Sequence, residues 1–244
     1  YGWVPAAVDQ GASLASFVRD KMGDGAKKLG VIYISPPAYS AAKDAYVRAA
    51  KAQGMNVVDT ESIAVNQASF APQLLRLKNA GVQNVAIIAT IEAIGILRDA
   101  QSLDYHPHWT GLSWIFDFIT AAARSTADGA MGLRYSATVD SPAYAQLQAK
   151  QRQYGTSSTA ANSESLIYYG FGLLVQRVLE AAGPNPTQAS LVAGLNSIHG
   201  YDNKILSPIT YGPSDHAGTH LSFPALCCHP DYSWKSIGPA AETF

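Results

Sequence analysis

The sequence predicts an α/β fold: a parallel sheet flanked by helices. Three observations predict it. Short apolar runs alternate with stretches whose apolar residues recur three and four apart, the rhythm of strand–helix–strand units. The apolar runs show no polar alternation, as expected of strands covered on both faces. Hydrophobic residues make up 48% of the 244 positions and charged residues only 14%, so a sizeable core is available.

The elements follow in order. Leu29, Val31, Ile32, Tyr33 and Ile34 form a first buried strand. Ser40 is placed to cap a helix with Ala42, Ala45, Tyr46, Ala49 and Ala50 inward, Asp44 and Arg48 four apart on its outer face, and Gly54 as its stop. Asn56 to Asp59 is a second strand. A helix follows with Phe70, Leu74, Leu77 and Ala80 in register, Pro72 in its first turn and Gly81 beyond its end. Val85 to Ala89 is a third strand, Ala93, Ile96, Leu97 and Ala100 mark a third helix, and His108 to Leu112 is a fourth strand. Crossovers in such a sheet are right-handed, and ligands sit beyond the carboxyl ends of the strands. That rule nominates three loops: Ser35 to Tyr39, Thr90 to Glu92, and Ser113 to Phe116. Aromatic residues at such tips, here Tyr39, Trp114 and Phe116, line pockets that pair apolar contact with a few fixed polar groups.

The next section changes character. Met131 to Thr138 is strand-like. Ser141 and Pro142 start a helix with Tyr144 and Leu147 on one face. A longer helix covers Asn162 to Ala182, with Ser163 as cap, Leu166, Ile167, Gly170, Leu173, Leu174 and Val178 along it, and Gly183 and Pro184 ending it. Thr187 caps another, with Leu191, Val192, Leu195 and Ile198 inward. The block 138–205 is therefore rich in helix and has no adequate sheet of its own, although helices that bury a face need a partner surface. The tail from Ser207 to Phe244 is rich in Pro, Gly, Ser and His, with a strand-like piece at Leu221 to Cys227.

Several function classes are excluded. A net charge of -1 is not that of a nucleic-acid binder, which carries a basic excess. No apolar stretch reaches the roughly 20 residues of a membrane span; the longest, Val85 to Leu97, is interrupted by Thr90 and Glu92. The G-x-S-x-G elbow of α/β hydrolases is absent, since Gly111-Leu112-Ser113-Trp114-Ile115 fails at its last position, and the consecutive Ser214, Asp215 and His216 cannot form a triad among themselves. Gly23-Asp24-Gly25 precedes a strand, the wrong context for a phosphate cradle. His216, His220, Cys227, Cys228 and His229 are competent metal ligands at no standard zinc spacing, so no metal and no cofactor are expected. The adjacent cysteines make no disulfide framework. The chain opens at Tyr1 without Met or leader, as expected of a mature or trimmed chain.

The run Lys27-Lys28-Leu29-Gly30-Val31-Ile32-Tyr33 followed by Tyr39, the helix Phe70 to Gly81, and the stretch from Tyr168-Tyr169-Gly170 to Ala182-Gly183 resemble segments of type I periplasmic binding proteins. The group most similar is the substrate-binding proteins of branched-chain amino-acid ABC transporters, and the resemblance covers nearly the whole chain. It implies a two-lobed architecture joined by three crossovers, here with an incomplete first lobe. Residues 8–135 and 206–244 correspond to the second ligand-binding lobe and 138–205 to the helical part of the first. Tyr1 to Gln10 resembles the linker entering the second lobe, so an N-terminal segment of the first lobe is expected to be missing.

The resemblance implies a non-enzymatic solute-binding protein, periplasmic or extracytoplasmic, with or without a lipid anchor. Its partners would be a small-molecule ligand, a membrane permease and the missing segment of its own first lobe. The ligand would shift an open–closed population by bridging two lobes. The expected ligand-binding residues are Tyr39, Thr90, Ser113, Trp114 and Phe116, with Glu92 and Tyr135 as further candidates. In amino-acid binders of this family an acid paired with the ligand ammonium falls near Ser113. No carboxylate stands there, and an unpaired buried ammonium is costly, so the expected ligand is apolar or aromatic instead of a standard α-amino acid. The alternatives are a ligand-sensing ectodomain of a signalling receptor and an α/β hydrolase, the latter without its nucleophile elbow.

Overall fold

Strands that lack polar alternation need cover on both faces, and the computed structural model shows how this chain provides it. It describes residues 1–23, 27–112, 115–155, 162–228, 231–238 and 241–242. β1 (Leu29–Ile34), β2 (Val57–Ile63), β3 (Asn84–Ile88), β4 (His108–Leu112) and β5 (Met131–Arg134) are parallel neighbours in the order β2-β1-β3-β4-β5. Leu29 of β1 faces Val57, and Gly30 faces Val85 on the other side. β6 (Leu221–Cys228) and β7 (Ser233–Ser236) extend the sheet as an antiparallel pair, and β8 (Ala241–Glu242) pairs with the start of β6.

Successive residues of the central strands enter opposite cores, as the two-residue period requires. Ile32 and Ile87 join Leu77, Ile96 and Trp109 on one face. Val31 and Ala86 join Leu14, Tyr46 and Leu112 on the other. The covering helices are α1 (Ala7–Met22), α2 (Pro37–Ala52), α3 (Ala71–Asn79), α4 (Glu92–Ser102) and α5 (Asp117–Ala123).

Helix α1 begins inside the Tyr1 to Gln10 stretch expected to be a linker and runs on to Met22, over residues for which the sequence predicts no element. Its buried face includes Gln10, Gly11 and Ser13 beside Leu14, Phe17 and Val18, so small and polar residues dilute the apolar period. A Cβ on Gly11 would stand 2.1 Å from the carbonyl oxygen of Ala42; the α1–α2 seam is a close backbone approach that glycine alone permits. α2 begins at Pro37, earlier than a Ser40 cap, because proline suits the first helical turn; the Ser40 hydroxyl donates to the Ser35 carbonyl instead (3.2 Å). β2 runs to Ile63, past the expected Asp59, as an edge strand of mostly alternating exposure that no apolar run announces. β5 stops at Arg134, short of Thr138. Gly54 (φ +74) and Gly81 (φ +70) lie just beyond α2 and α3 in the left-handed region, the stop role their positions predict.

The chain divides into two compact units. Of the described residues, the sheet unit comprises Ala7–Arg134 and Pro224–Gly238; the helical unit comprises Tyr1–Ala6, Tyr135–Phe223 and Ala241–Glu242. The expected grouping of 206–244 is thus divided, with 206–223 joining the helices. The reason is packing: Leu206, Ile209 and Tyr211 share a core with Leu147, Leu166, Leu174 and Val178, and Leu206 bridges to Ser136 while Ile209 bridges to Tyr201. The helices of this unit are α6 (Pro142–Tyr154), α7 (Ser163–Ala182) and α8 (Gln188–Asn196). Ser141 caps α6 by accepting from the Tyr144 N–H, and Thr187 caps α8 through a reciprocal pair with Ser190. The cap of α7 is Asn162, whose side chain accepts from the Ser165 N–H at 2.7 Å, one residue ahead of the expected Ser163. α7 buries Leu166, Ile167, Gly170, Leu174 and Val178, while Tyr168, Phe171, Val175 and Leu179 on its outer face are exposed.

Candidate ligand-binding site

The carboxyl ends of the parallel strands fall at Ile34, Ile88 and Leu112, and the loops beyond them form one rim of the sheet unit. After β1 the chain turns tightly. The Ser35 N–H donates to the Ile63 carbonyl (3.0 Å) and the Tyr39 N–H to the Pro36 carbonyl (3.0 Å). This turn sets Tyr39 in the first turn of α2, half-buried against both cores of the sheet unit.

After β3, Thr90 donates twice to Oε2 of Glu92, from its N–H at 3.3 Å and its hydroxyl at 2.9 Å. Glu92 opens α4, where an acid is favoured by the helix dipole, and is only 6% exposed. Among the described residues, its Oε1 accepts no hydrogen bond. Burial pushes the Tyr39 phenol above its ordinary value, and the charge of Glu92 adds to the rise. Tyr39 and Glu92 therefore share one electrostatic neighbourhood, although 53 positions of sequence separate them only as 39 from 92.

Phe116 precedes α5, packs against the same core that Tyr39 touches, and stacks on Phe118 with centroids 5.9 Å apart and planes at 21°. The loop beneath it is held by Arg134, 2% exposed, whose guanidinium donates to the Ile115 carbonyl and lies 3.9 Å from the Asp117 carboxylate. That carboxylate accepts from the Trp234 N–H at 3.1 Å, so β5, α5 and β7 are tied together at this edge.

The structure thus brings together Tyr39, Thr90 and Glu92, with Phe116 on the shared core. Ser113 and Trp114 lie outside the described residues. Tyr135 belongs to the helical unit, where its ring meets Trp3 edge-on at 5.7 Å. Ile91, between Thr90 and Glu92, is 57% exposed, Phe118 (48% exposed) lies against Phe116, and Arg134, which sequence reasoning passed over, donates to the Ile115 carbonyl before α5. A basic residue ending a short apolar strand was the available signal for Arg134. Glu92, a further candidate in the sequence, places a carboxylate at the tip that follows β3.

Two concavities lie away from this rim. A cavity of about 480 Å³ in the helical unit includes Asp202, Asn203 and Lys204, but Asp202 and Lys204 pair with each other and Asn203 bonds the backbone at Gly170, Ile205 and Leu206. A groove of about 430 Å³ lies at the amino-terminal ends of β3 and β4, where His106 pairs with Asp104 (2.9 Å). Among the described residues, no group of three His, Cys, Asp or Glu is placed to hold a metal. Cys227 and Cys228 are buried in β6, and His220 stands 3.5 Å from Asp215.

A sequence model of periplasmic binding proteins matches residues 1–225. The chain belongs to the periplasmic binding protein family. None of the curated proteins compared matches it. Solved structures of the family share its fold. A branched-chain amino acid ABC transporter protein from Thermus thermophilus with bound valine superposes with a TM-score of 0.81 at 14% identity, covering 96% of this chain and 65% of the other. A fatty acid ABC transporter substrate-binding protein from Thermomonospora curvata gives 0.79 at 19% identity, covering 96% and 63%. A solute-binding protein from R. palustris in complex with benzoate gives 0.78 at 14% identity, covering 97% and 64%. The chain therefore spans a little under two thirds of the length of these family members. Among the described residues, no helix is long and apolar enough to cross a membrane.

Proposed function

We propose that this chain is the ligand-binding part of an extracytoplasmic solute receptor of an ABC transporter. In this reading it takes a small apolar or aromatic organic molecule in an interlobe cleft. The observation that carries the reading is the grouping of Tyr39, Thr90 and Glu92, with Phe116 on the same core, at the carboxyl edge of the parallel sheet. This is where ligands of such sheets sit, and a mainly apolar wall with few polar groups is what small-molecule sites need. Ser113, Trp114 and Tyr135 complete the proposed contact set. Fatty acid and benzoate appear among the ligands named for structures of the same fold.

The ligand shifts the protein toward a closed form by hinge motion, and the closed form docks on a membrane permease. The function needs no catalytic residue. An additional first-lobe segment of the same protein covers the outer face of α7. Supporting this, α7 exposes Tyr168, Val175 and Leu179 beside its buried stripe, and contiguous exposed apolar residues mark an interaction surface.

Titration calorimetry with benzoate and hexanoate tests the reading. Saturable binding by at least one of them, weakened tenfold or more by Tyr39→Ala or Phe116→Ala, is the expected result. Absence of binding by both, or binding indifferent to both substitutions, would overturn it.

A further inference from the structure

We propose that the amino-terminal edge of the parallel sheet docks on a membrane surface carrying anionic phospholipid, through a cluster of Arg19, Lys21, Lys27, Lys28, Lys51 and Lys78. This is the edge of the sheet unit opposite the candidate ligand site. The last turns of α1, α2 and α3 bring Arg19, Lys21, Lys51 and Lys78 to it, and Lys27 and Lys28 lead into β1. Hydrogen bonds hold these segments side by side. Arg19 donates to the carbonyl of Gln53, the residue after α2, at 2.8 Å. The Leu29 N–H donates to the Asn56 carbonyl at 2.9 Å, and the Gln83 N–H to the Lys28 carbonyl at 3.2 Å. Lys28 Nζ lies 3.3 Å from where a Cβ on Gly81 would stand, just past α3. Lys78 donates to the carbonyls of Leu103 and Asp104 at 2.7 and 3.0 Å.

All six side chains belong to exposed residues. Among the described residues, Lys21, Lys27, Lys28 and Lys51 pair with no carboxylate. The acids on this edge are Asp20, Asp59, whose charge acts on Arg76, and Asp104, which pairs with His106 at 2.9 Å. Positive charge is thus concentrated here on a chain whose net charge is -1, and such clusters set up local potentials that steer binding. A helix C-terminus favours a basic residue, which accounts for the four on helices singly. It does not account for Lys27 and Lys28, which lie outside any helix. The residue types indicate the partner. Protein interfaces are depleted in lysine and enriched in aromatic residues, whereas this cluster is mostly lysine, and among the described residues none of the exposed Phe or Tyr side chains lies on these segments. Phospholipid headgroups require only a point charge on a flexible stem, which lysine supplies, and each basic group near an anionic bilayer adds to the attraction.

Cosedimentation with phospholipid vesicles tests the proposal. Vesicles of phosphatidylcholine alone are compared with vesicles of three parts phosphatidylcholine to one part phosphatidylglycerol. At about 50 mM salt, partition onto the anionic vesicles should be tenfold or more stronger than onto the neutral ones. It should fall tenfold or more at about 500 mM salt, as screening shortens the reach of the charges. The triple variant Lys21→Gln, Lys27→Gln and Lys51→Gln should lose tenfold or more of the partition. A control with the same change in net charge, Lys150→Gln, Arg152→Gln and Arg177→Gln in the helical unit, should stay within about threefold of the unsubstituted chain. Equal partition onto both compositions, no partition onto the anionic vesicles, or equal losses in the two triple variants would overturn the proposal. Salt-sensitive retention on polyglutamate without vesicle binding would overturn it as well, and would assign the edge to an acidic protein. Each of these results leaves the ligand reading standing, because calorimetry with benzoate and hexanoate reads the opposite edge of the sheet.

Discussion

The sheet unit and the helical unit handle apolar surface differently. In the sheet unit the central strands are covered on both faces: every residue of β3 is buried, and β1 leaves only Tyr33 partly open. In the helical unit, α7 buries one stripe and exposes another made of Tyr168, Phe171, Val175 and Leu179. The apolar content of a helix therefore overstates its contribution to its own unit. What stabilises is area removed from water, and within this chain Tyr168, Val175 and Leu179 of α7 keep much of their surface exposed.

The largest expected effect sharpens that contrast. Ile87→Ala in the fully buried β3 should cost about 2–5 kcal/mol in urea unfolding. Leu179→Ser on the outer face of α7, 46% exposed, should change stability by about 0.5 kcal/mol or less. Similar losses for the two would break the distinction between the units.

Alkaline pH should weaken both. In the sheet unit, burial holds the phenols of Tyr46 and Tyr105 well above the ordinary value of 10.0. In the helical unit burial pushes Tyr211 up to about 12, with its hydroxyl donating to the Gly2 carbonyl at 2.5 Å. A raised pKa in the folded state means that the folded protein retains protons the unfolded chain has released. The associated stability is complete below pH about 10 and is lost as pH climbs through the folded values. Urea midpoints should fall steadily from pH about 10 to 12, and Tyr211→Phe should make the fall shallower. A flat profile would show that these burials are relieved by local opening.

The smallest effect concerns α8, whose only buried residue is Gly194. Thr187→Ala removes the half of the reciprocal cap in which the Thr187 hydroxyl accepts from the Ser190 N–H and should cost about 1 kcal/mol locally. Amide exchange across Gln188–Asn196 should accelerate about fivefold while the global midpoint hardly moves. A shift of the global midpoint instead would mean that α8 unfolds only with the rest of its unit.

Much of the sheet unit was legible because its signals are local. Val31, Val85 and their neighbours announce buried strands by apolar runs, and Gly54 and Gly81 mark helix ends by the conformation they adopt. α1 was not legible, because Gly11 has its place through the close approach to Ala42, which is a contact between helices. β2 beyond Asp59 was not legible either, because an edge strand needs no apolar run. At the candidate site, the strand-tip rule nominated the loops that carry Tyr39, Thr90, Glu92 and Phe116, but nothing in the sequence says that the Glu92 side chain is buried.

The sequence by itself determined the alternation of strands and helices, the parallel sheet and the edge at which its loops gather, because backbone periodicity and helix capping act over a few residues. Only the tertiary structure decided that residues 206–223 pack with the helices, that Arg134 braces the loop before α5, and that Glu92 lies buried in the neighbourhood of Tyr39. Those facts depend on which distant residues exclude water from one another, and burial, unlike periodicity, has no local signature.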